Sequence, residues 1–292
     1  MNMKRISSTL TKLICIIAAA SILPISAGAQ VQINTKKMKI SDFTQKTTKV
    51  VLSDDPFFDA ALKDEISARW RISPYEFCTA EEFEQIKKDD SYYFLIPVKG
   101  QFRNEEEPGV LYLTLVKGGA KAEGGIGNML EIITIPIASA DSPSGREIVV
   151  LPAFIDILQN YTLTSMESDL NAYTGLVSYV TSLSKSKGKN IIFAIGDLEA
   201  QTDEDFCLNA FDEDMDYIDT DDADDYITNN TENVIVSYVV APANPVPGSY
   251  CYKFLIEPAT HQLYFYKKHK ISKKTGAGFL QEDIKRIVLS RK

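Results

Sequence analysis

The chain has 292 residues, 45% of them hydrophobic, which is enough for one large domain or two small ones with a sizeable core. It carries 40 acidic and 31 basic residues and a formal net charge of −9. This acidic balance disfavours nucleic-acid binding, which depends on lysine and arginine facing the phosphates.

The first 29 residues are predicted to be a secretory signal peptide. Basic residues lie within the first twelve positions, residues 13–25 form an apolar run, and residues 27–29 (Ala-Gly-Ala) form an A-x-A-type cleavage site. The apolar run is too short for a stable membrane span. The mature chain 30–292 is therefore predicted to be periplasmic or secreted, without a transmembrane segment.

Capping patterns predict two helix starts in the first part of the mature chain. Residues 53–56 (Ser-Asp-Asp-Pro) place capping side chains before a proline in the first helical turn. Thr79 and Glu82 have the spacing of a capping box. Short apolar runs at 48–52 and 72–77 predict strands that alternate with these helices.

Three apolar runs at 92–98, 110–116 and 129–137 predict a buried antiparallel sheet. A turn-like Asn-Glu-Glu-Glu-Pro-Gly segment separates the first two runs, and a glycine-rich segment separates the last two. The runs are rich in tyrosine, isoleucine and valine, which favour strands.

The second part of the chain predicts a helical layer and further strands. Apolar residues at helical spacing across 147–185 predict a helical hairpin, with Pro152 in its first turn or at a kink. The remaining predictions are strands at 190–195 and 233–240, a β-hairpin from 250–256 and 262–266, and a closing helix at 279–289.

Together these elements predict an α+β fold with a mostly antiparallel central sheet covered by a helical layer. A C-terminal β-hairpin and a closing helix complete the fold. We expect 30–292 to be a single domain, with 30–140 and 190–292 as possible halves joined by the helical hairpin. The sequence shows no internal repeat at a solenoid period.

The acidity of the chain is local. No lysine or arginine lies between Lys189 and Lys253, and 15 acidic residues lie within 197–232. Crowded carboxylates can supply the oxygen ligands that calcium prefers. The candidate metal ligands are Asp212, Asp214, Asp216, Asp219 and Asp221.

Two other interpretations of the acidic segment remain open. Like charges at this density repel, so the segment could be a solvated, partly disordered loop. It could also lie against the basic C-terminal hairpin, within one chain or between two copies. Its spacing does not match an EF-hand.

The sequence contains no catalytic motif of the common hydrolase, metalloprotease or nucleotide-binding classes. His261 and His269 lie eight residues apart, roughly 26 Å along an extended strand at about 3.3 Å per residue, so they cannot share one metal ion. Cys207 and Cys251 are a candidate disulfide in an oxidising compartment. The alternative is that these cysteines and Cys78 are buried thiols.

Residues 70–79 (WRISPYEFCT) and 263–271 (LYFYKKHKI), with the signal ending Ala-Gly-Ala-Gln, resemble exported proteins of unknown function from Bacteroidota. The resemblance spans most of the mature chain. It implies export, but neither an activity nor catalytic residues.

The leading hypothesis is an exported, non-catalytic binding or scaffolding protein of the cell envelope. Its expected partner is an envelope protein or a glycan, and no cofactor is expected apart from calcium. One alternative is a carboxylate-dependent exported hydrolase acting on glycan or peptide, with two converging acidic side chains. The other alternative is a calcium-stabilised binding module. Aromatic and lysine residues across 250–270 could also stack on a glycan, or form a hairpin with one core-facing side.

Overall fold

The computed structural model describes residues 35–53 and 55–292, with the side chains of 177–182 excepted. The predicted signal peptide at 1–29 and its cleavage site lie outside the described residues.

Ten strands and eight α-helices lie in the described chain. The strands are β1 (Thr47–Val51), β2 (Tyr75–Cys78), β3 (Tyr92–Gly100), β4 (Val110–Lys117), β5 (Leu130–Ser139), β6 (Asn190–Ala194), β7 (Met215–Ile218), β8 (Val234–Val240), β9 (Tyr250–Glu257) and β10 (Gln262–Lys270). The helices are α1 (Lys36–Lys39), α2 (Pro56–Arg69), α3 (Ala80–Ile86), α4 (Arg146–Glu167), α5 (Asp169–Thr174), α6 (Glu204–Ala210), α7 (Thr220–Thr228) and α8 (Gln281–Arg291).

The strands form two five-stranded sheets with the same topology. The first sheet has the order β2-β1-β3-β4-β5, and the second has the order β7-β6-β8-β9-β10. In each sheet the strand that comes first in the chain, β1 or β6, is parallel to its two neighbours. The last three strands of each sheet form an antiparallel meander. Helices follow the first, second and fifth strand of each sheet. The described chain is therefore a structural duplication.

The mixture of helices and strands confirms the predicted α+β class, but the sheet organisation differs from the prediction. Two sheets replace one central sheet, and four of the eight strand pairings in the described chain are parallel. The parallel pairs arise because a helix connects their strands and returns the chain to the same end of the sheet. An apolar run does not show strand direction, so the sequence pattern could not reveal this.

The predicted C-terminal elements are present with shifted bounds. β9 and β10 pair antiparallel, and β10 continues to Lys270, beyond the predicted end at residue 266. The closing helix α8 begins at Gln281, two residues later than predicted. The second arm of the predicted helical hairpin is not one α-helix, because Gly175 has a φ of 56° and separates α5 from a 3₁₀ segment.

The largest apolar cluster spans both sheets, and α4 lies within it. The Phe154 ring of α4 packs 5.6 Å from Tyr238 and 5.3 Å from Phe254, centroid to centroid, both in the second sheet. Leu113 and Ile135 of the first sheet belong to the same cluster. By length and composition α4 could cross a membrane, but most of its apolar window is buried in this core. Its composition is that of a core helix.

Candidate functional site

The first sheet has a crevice at the carboxyl end of β1. α2 packs on one face of this sheet, where Phe58 and Leu62 join the main cluster. α3 packs on the opposite face, where the Phe83 ring lies 5.0 Å from that of Phe94. Helices that leave neighbouring strands on opposite faces open a crevice between them, and open α/β sheets bind ligands there.

We call this crevice the β1 cleft. Its volume is about 560 Å³, within the usual range for ligand sites. The strands supply an apolar floor, and the starts of α2, α3 and α4 supply polar groups at its walls. The apolar lining includes Val51, Leu52, Phe58, Phe83, Ile96, Leu111 and Pro143.

Local hydrogen bonds fix the loop between β1 and α2 on one side of the cleft. The Ser53 backbone N–H and hydroxyl both donate to Asp59 Oδ1, at 2.8 and 2.9 Å. Asp55 Oδ1 accepts from the backbone N–H groups of Phe57 and Phe58 at 3.0 and 3.2 Å, as an N-cap does. These polar groups of the loop are therefore occupied in holding the helix start.

Glu147 lines the opposite side of the cleft, in the first turn of α4. Its side chain is buried, with 7% of the residue exposed. Oε2 accepts a hydrogen bond of 3.0 Å from the Gly145 backbone N–H. Oε1 accepts no hydrogen bond from any residue that the structure describes. Oε1 is not one of the fully buried, unpartnered side-chain atoms of the described residues, so solvent reaches it. A ligand that excludes this solvent has to donate to Oε1, because a buried carboxylate oxygen without a partner is costly.

Lys99 is the one lysine that lines the cleft. It is exposed, and within the described part of the chain its ammonium forms no ion pair. The other ionisable groups at the lining are the carboxylates of Asp55, Glu84 and Glu147. The cleft is therefore mainly apolar, with more negative than positive side chains at its walls.

The equivalent crevice of the second sheet is filled by a buried charge cluster. β6 holds the position of β1 in the shared topology, and Asp197 lies three residues after its end with only 2% exposed. Arg146 donates to Asp197 Oδ1 at 2.8 Å and, through Nε, to both oxygens of Asp224 at 2.9 Å. The Ser237 hydroxyl donates to Asp197 Oδ2 at 2.6 Å. We call these four residues the Arg146 cluster.

Charge interactions in the Arg146 cluster compete with burial. Burial disfavours the guanidinium charge of Arg146, but Asp197 and Asp224 outweigh it and raise its pKa. Burial dominates for Asp224, whose pKa is raised although Arg146 opposes the shift. The guanidinium also lies 5.1 Å from the centre of the Tyr238 ring. The cluster joins the start of α4 to the second sheet.

The five aspartates that the sequence predicted as calcium ligands lie before β7, within β7 and at the start of α7. Asp212 and Asp214 precede β7 and pair with the last residues of the chain: Asp212 lies 3.7 Å from the Lys292 ammonium, and Asp214 pairs with Arg291. Asp216 lies in β7, Asp219 caps α7, and Asp221 lies in the first turn of α7. Among the described residues, no group of three or more histidine, cysteine, aspartate or glutamate side chains could hold a metal ion. Calcium binding at these residues stays a prediction.

The acidic segment is not an irregular loop. It forms α6, β7 and α7, and its carboxylates pair with Arg146 of α4 and with the end of α8 rather than with the C-terminal hairpin. α7 forms because Asp219 accepts from the Asp221 N–H, acidic residues occupy its first turn, and Ala223 is buried. Negative side chains at a helix N-terminus interact favourably with the helix dipole.

The predicted Cys207–Cys251 disulfide is absent, since all three cysteines in the described chain are buried free thiols. The Gly278 N–H donates to Cys251 Sγ, and Cys207 lies beside the Thr202 carbonyl. Burial raises the pKa of each of the three thiols, Cys78 included, to about 11. They are therefore unreactive at neutral pH.

Five of the six aromatic residues of the predicted C-terminal hairpin are buried in the core, and Tyr250 is half-buried. Tyr252, Tyr264 and Tyr266 are buried, as are Phe254 and Phe265. Glycan binding usually uses an exposed aromatic face, and these rings do not offer one. His261 is also buried, with Nδ1 2.6 Å from Asp156 Oδ2.

Arg146, Glu147 and Lys99 were not predicted from the sequence to be functional. One signal was present: Arg146 and Glu147 are the charged pair between the Ser-Pro-Ser-Gly loop and a strongly apolar helix. An acidic residue such as Glu147 is common at a helix start, where it complements the helix dipole. Their roles depend on the duplicated sheets, which the sequence does not reveal.

The β1 cleft thus has the position, size and lining of a ligand site, and its counterpart at β6 holds the buried Arg146 cluster. Its function is inferred from its own residues, because comparison with known proteins provides no activity to transfer. The chain matches no protein-family model, no curated protein and no solved structure.

Proposed function

We propose that this protein is an exported, non-catalytic binding protein of the cell envelope, and that the β1 cleft holds a segment of a partner protein. Export rests on the signal peptide predicted at residues 1–29. Binding rests on the cleft and on the chemistry of its walls.

The observation that carries the proposal is the contrast between the two equivalent crevices. At the end of β6, Arg146 and Asp197 fill the space with buried ion pairs. At the end of β1 about 560 Å³ stays open, lined mostly by apolar side chains. An open apolar cleft exposes surface to water at a cost of about 25 cal/mol per Å². A ligand that covers this surface recovers that free energy. Folding alone does not require an open cleft, since the equivalent crevice of the second sheet is filled.

The lining favours a peptide segment over a glycan. Aliphatic side chains and the rings of Phe58 and Phe83 form a concave surface, which suits an apolar side chain of a protein. Sugars are held by exposed aromatic faces and many hydrogen-bonding groups. The polar groups of Ser53 and Asp55 are already engaged with the α2 start.

The same groups favour binding over hydrolysis. Hydrolysis by carboxylates needs two that converge on one bond. Asp55 caps α2 and Glu84 pairs with Lys87. Glu147 accepts from the Gly145 N–H. Each of the three carboxylates at the lining is therefore engaged with a different group, and none of the contacts among the described lining residues joins two of them.

Selection from a random heptapeptide library displayed on phage tests the proposal. The bait is the mature protein, and the blocked variant is Ala80→Trp, which places an indole at the rim of the cleft. The matched control is Ala68→Trp, an exposed alanine near the end of α2 and away from the cleft. Melting temperatures of both variants close to that of the wild type establish that they fold.

We expect peptides to be enriched by the wild type and by Ala68→Trp, but not by Ala80→Trp. Mass spectrometry of a selected peptide incubated with the protein should recover it intact. Equal enrichment by Ala80→Trp would refute binding in the cleft. Cleavage of the peptide would replace the proposal with the hydrolase hypothesis.

A further inference from the structure

The largely buried Glu147 indicates which chemical group the cleft recognises. More than nine tenths of the residue is buried, and the residue lines the cleft. Gly145 satisfies Oε2 at 3.0 Å, while Oε1 has no donor among the described residues. Oε1 is not one of the fully buried side-chain atoms without a partner among the described residues, so solvent reaches it. A ligand that fills the cleft removes this solvent, and it has to donate to Oε1 in its place because buried polar atoms are almost always hydrogen-bonded.

The surroundings of Glu147 do not supply that donor. Its sequence neighbour Arg146 is committed to Asp197 and Asp224. Lys99 lines the same cleft, but it forms no ion pair with Glu147 in the described structure. A ligand that displaces solvent from Oε1 therefore has to bring the donor itself.

We infer that the partner segment presents a basic group, a lysine or arginine side chain or an N-terminal ammonium, to Glu147 Oε1, beside an apolar side chain that fills the β1 cleft. This inference rests on the proposed function and specifies its ligand. Hydrogen bonds between charged groups are about twice as strong as neutral ones. A carboxylate in an apolar cleft therefore discriminates strongly between a basic segment and a neutral one.

The other charged side chains at the walls of the cleft are mainly negative, like Glu147. Asp55 and Glu84 add negative charge, although both have partners within the protein, and Lys99 is the one opposing charge at the lining. A cationic segment is attracted by the acidic walls, whereas an anionic one would meet Glu147 directly. Removal of Lys99 should consequently leave binding intact or strengthen it.

The experiment compares peptide selections on the wild type, Glu147→Gln and Ala80→Trp. Glutamine keeps an oxygen that can accept from the Gly145 N–H, so the start of α4 retains this hydrogen bond while the charge is lost. A melting temperature within a few degrees of the wild type verifies this. One lysine-containing peptide from the wild-type pool is then synthesised with lysine and with norleucine, which has a similar length and no charge.

We expect the wild-type pool to be rich in lysine or arginine next to apolar residues, and the Glu147→Gln pool to keep the apolar residues and lose the basic ones. The lysine peptide should bind the wild type about tenfold or more tightly than the norleucine peptide, and Glu147→Gln should remove the difference. Lys99→Met should not weaken binding.

Equal basic content in the wild-type and Glu147→Gln pools would overturn the inference while leaving cleft binding in place. Acidic peptides that depend on Lys99 would overturn it as well. A wild-type pool indistinguishable from the Ala80→Trp pool would refute the proposed function itself. The two failures are therefore distinguishable.

Discussion

Replacement of Arg146 by methionine should destabilise the protein severely, because it leaves buried carboxylates without their cation. Arg146 makes ion pairs with Asp197, which is 2% exposed, and with both oxygens of Asp224. Asp197 would retain the hydroxyl of Ser237 as a side-chain partner. Breaking a buried ion pair by removal of one partner costs about 3–5 kcal/mol, a large part of a typical total stability of roughly 5–15 kcal/mol.

Urea unfolding followed by circular dichroism measures this cost. With an m value of about 2 kcal/mol/M, a loss of 4 kcal/mol moves the midpoint down by about 2 M. Arg103→Met is the matched control, since Arg103 is exposed and makes no ion pair in the described structure. Its free energy of unfolding should change by no more than about 0.5 kcal/mol.

A triple variant separates lost charge pairing from lost packing. Arg146→Met combined with Asp197→Asn and Asp224→Asn removes the uncompensated charges while keeping similar side-chain volumes, and it should recover at least half of the lost stability. The reasoning is refuted if Arg146→Met alone costs less than about 1 kcal/mol. It is also refuted if the triple variant is less stable than the single one.

Three further predictions concern other parts of the fold. If Asp212, Asp214 and Asp216 bind calcium, the melting temperature of the mature protein should rise in calcium and fall back with chelator, since a ligand of the folded state stabilises it; unchanged melting would remove the calcium hypothesis. Burial lowers the pKa of His269, whose Nδ1 is buried and unpartnered among the described residues near Lys253 and Asp283, so the folded state favours neutral imidazole. Below about pH 6.5 the unfolded chain binds more protons than the folded chain. The free energy of unfolding should therefore fall on acidification, and it should fall less steeply in His269→Asn than in the wild type. An equal fall in the two proteins, measured by urea titrations at pH 7 and pH 5, would contradict this. Lys253→Met should destabilise less than Arg146→Met, because Asp283 keeps Lys267 at 2.6 Å; a larger loss of urea resistance would show that Lys267 does not compensate.

Local capping signals predicted the starts of two helices correctly. Asp55 caps α2 with proline in its first turn, and Thr79 with Glu82 forms the capping box of α3. These interactions join side chains to backbone groups within three residues, so the sequence contains all the required information. The core-facing residues Phe58 and Leu62 follow from the same helix register.

The duplication could not be predicted, because it resides in long-range pairing. β1 pairs with β3 across more than forty residues, and β6 with β8 across a similar distance. The two halves place different residues at equivalent positions, so no repeat is visible in the sequence. The structure of the acidic segment could not be predicted either, because the regular structure of α7 depends on Arg146 pairing with Asp224 and on burial of Ala223.

The two adjacent residues at the start of α4 lie at equivalent crevices of the two sheets. Consecutive helical residues point about 100° apart, and Arg146 enters the crevice of the second sheet while Glu147 lines that of the first. The ion pairs of Arg146 therefore hold in place the turn that carries Glu147. The Arg146 cluster at β6 therefore also fixes one wall of the β1 cleft. On this reasoning the Arg146 cluster has a second effect besides filling its crevice, because the position of Glu147 at the cleft depends on it.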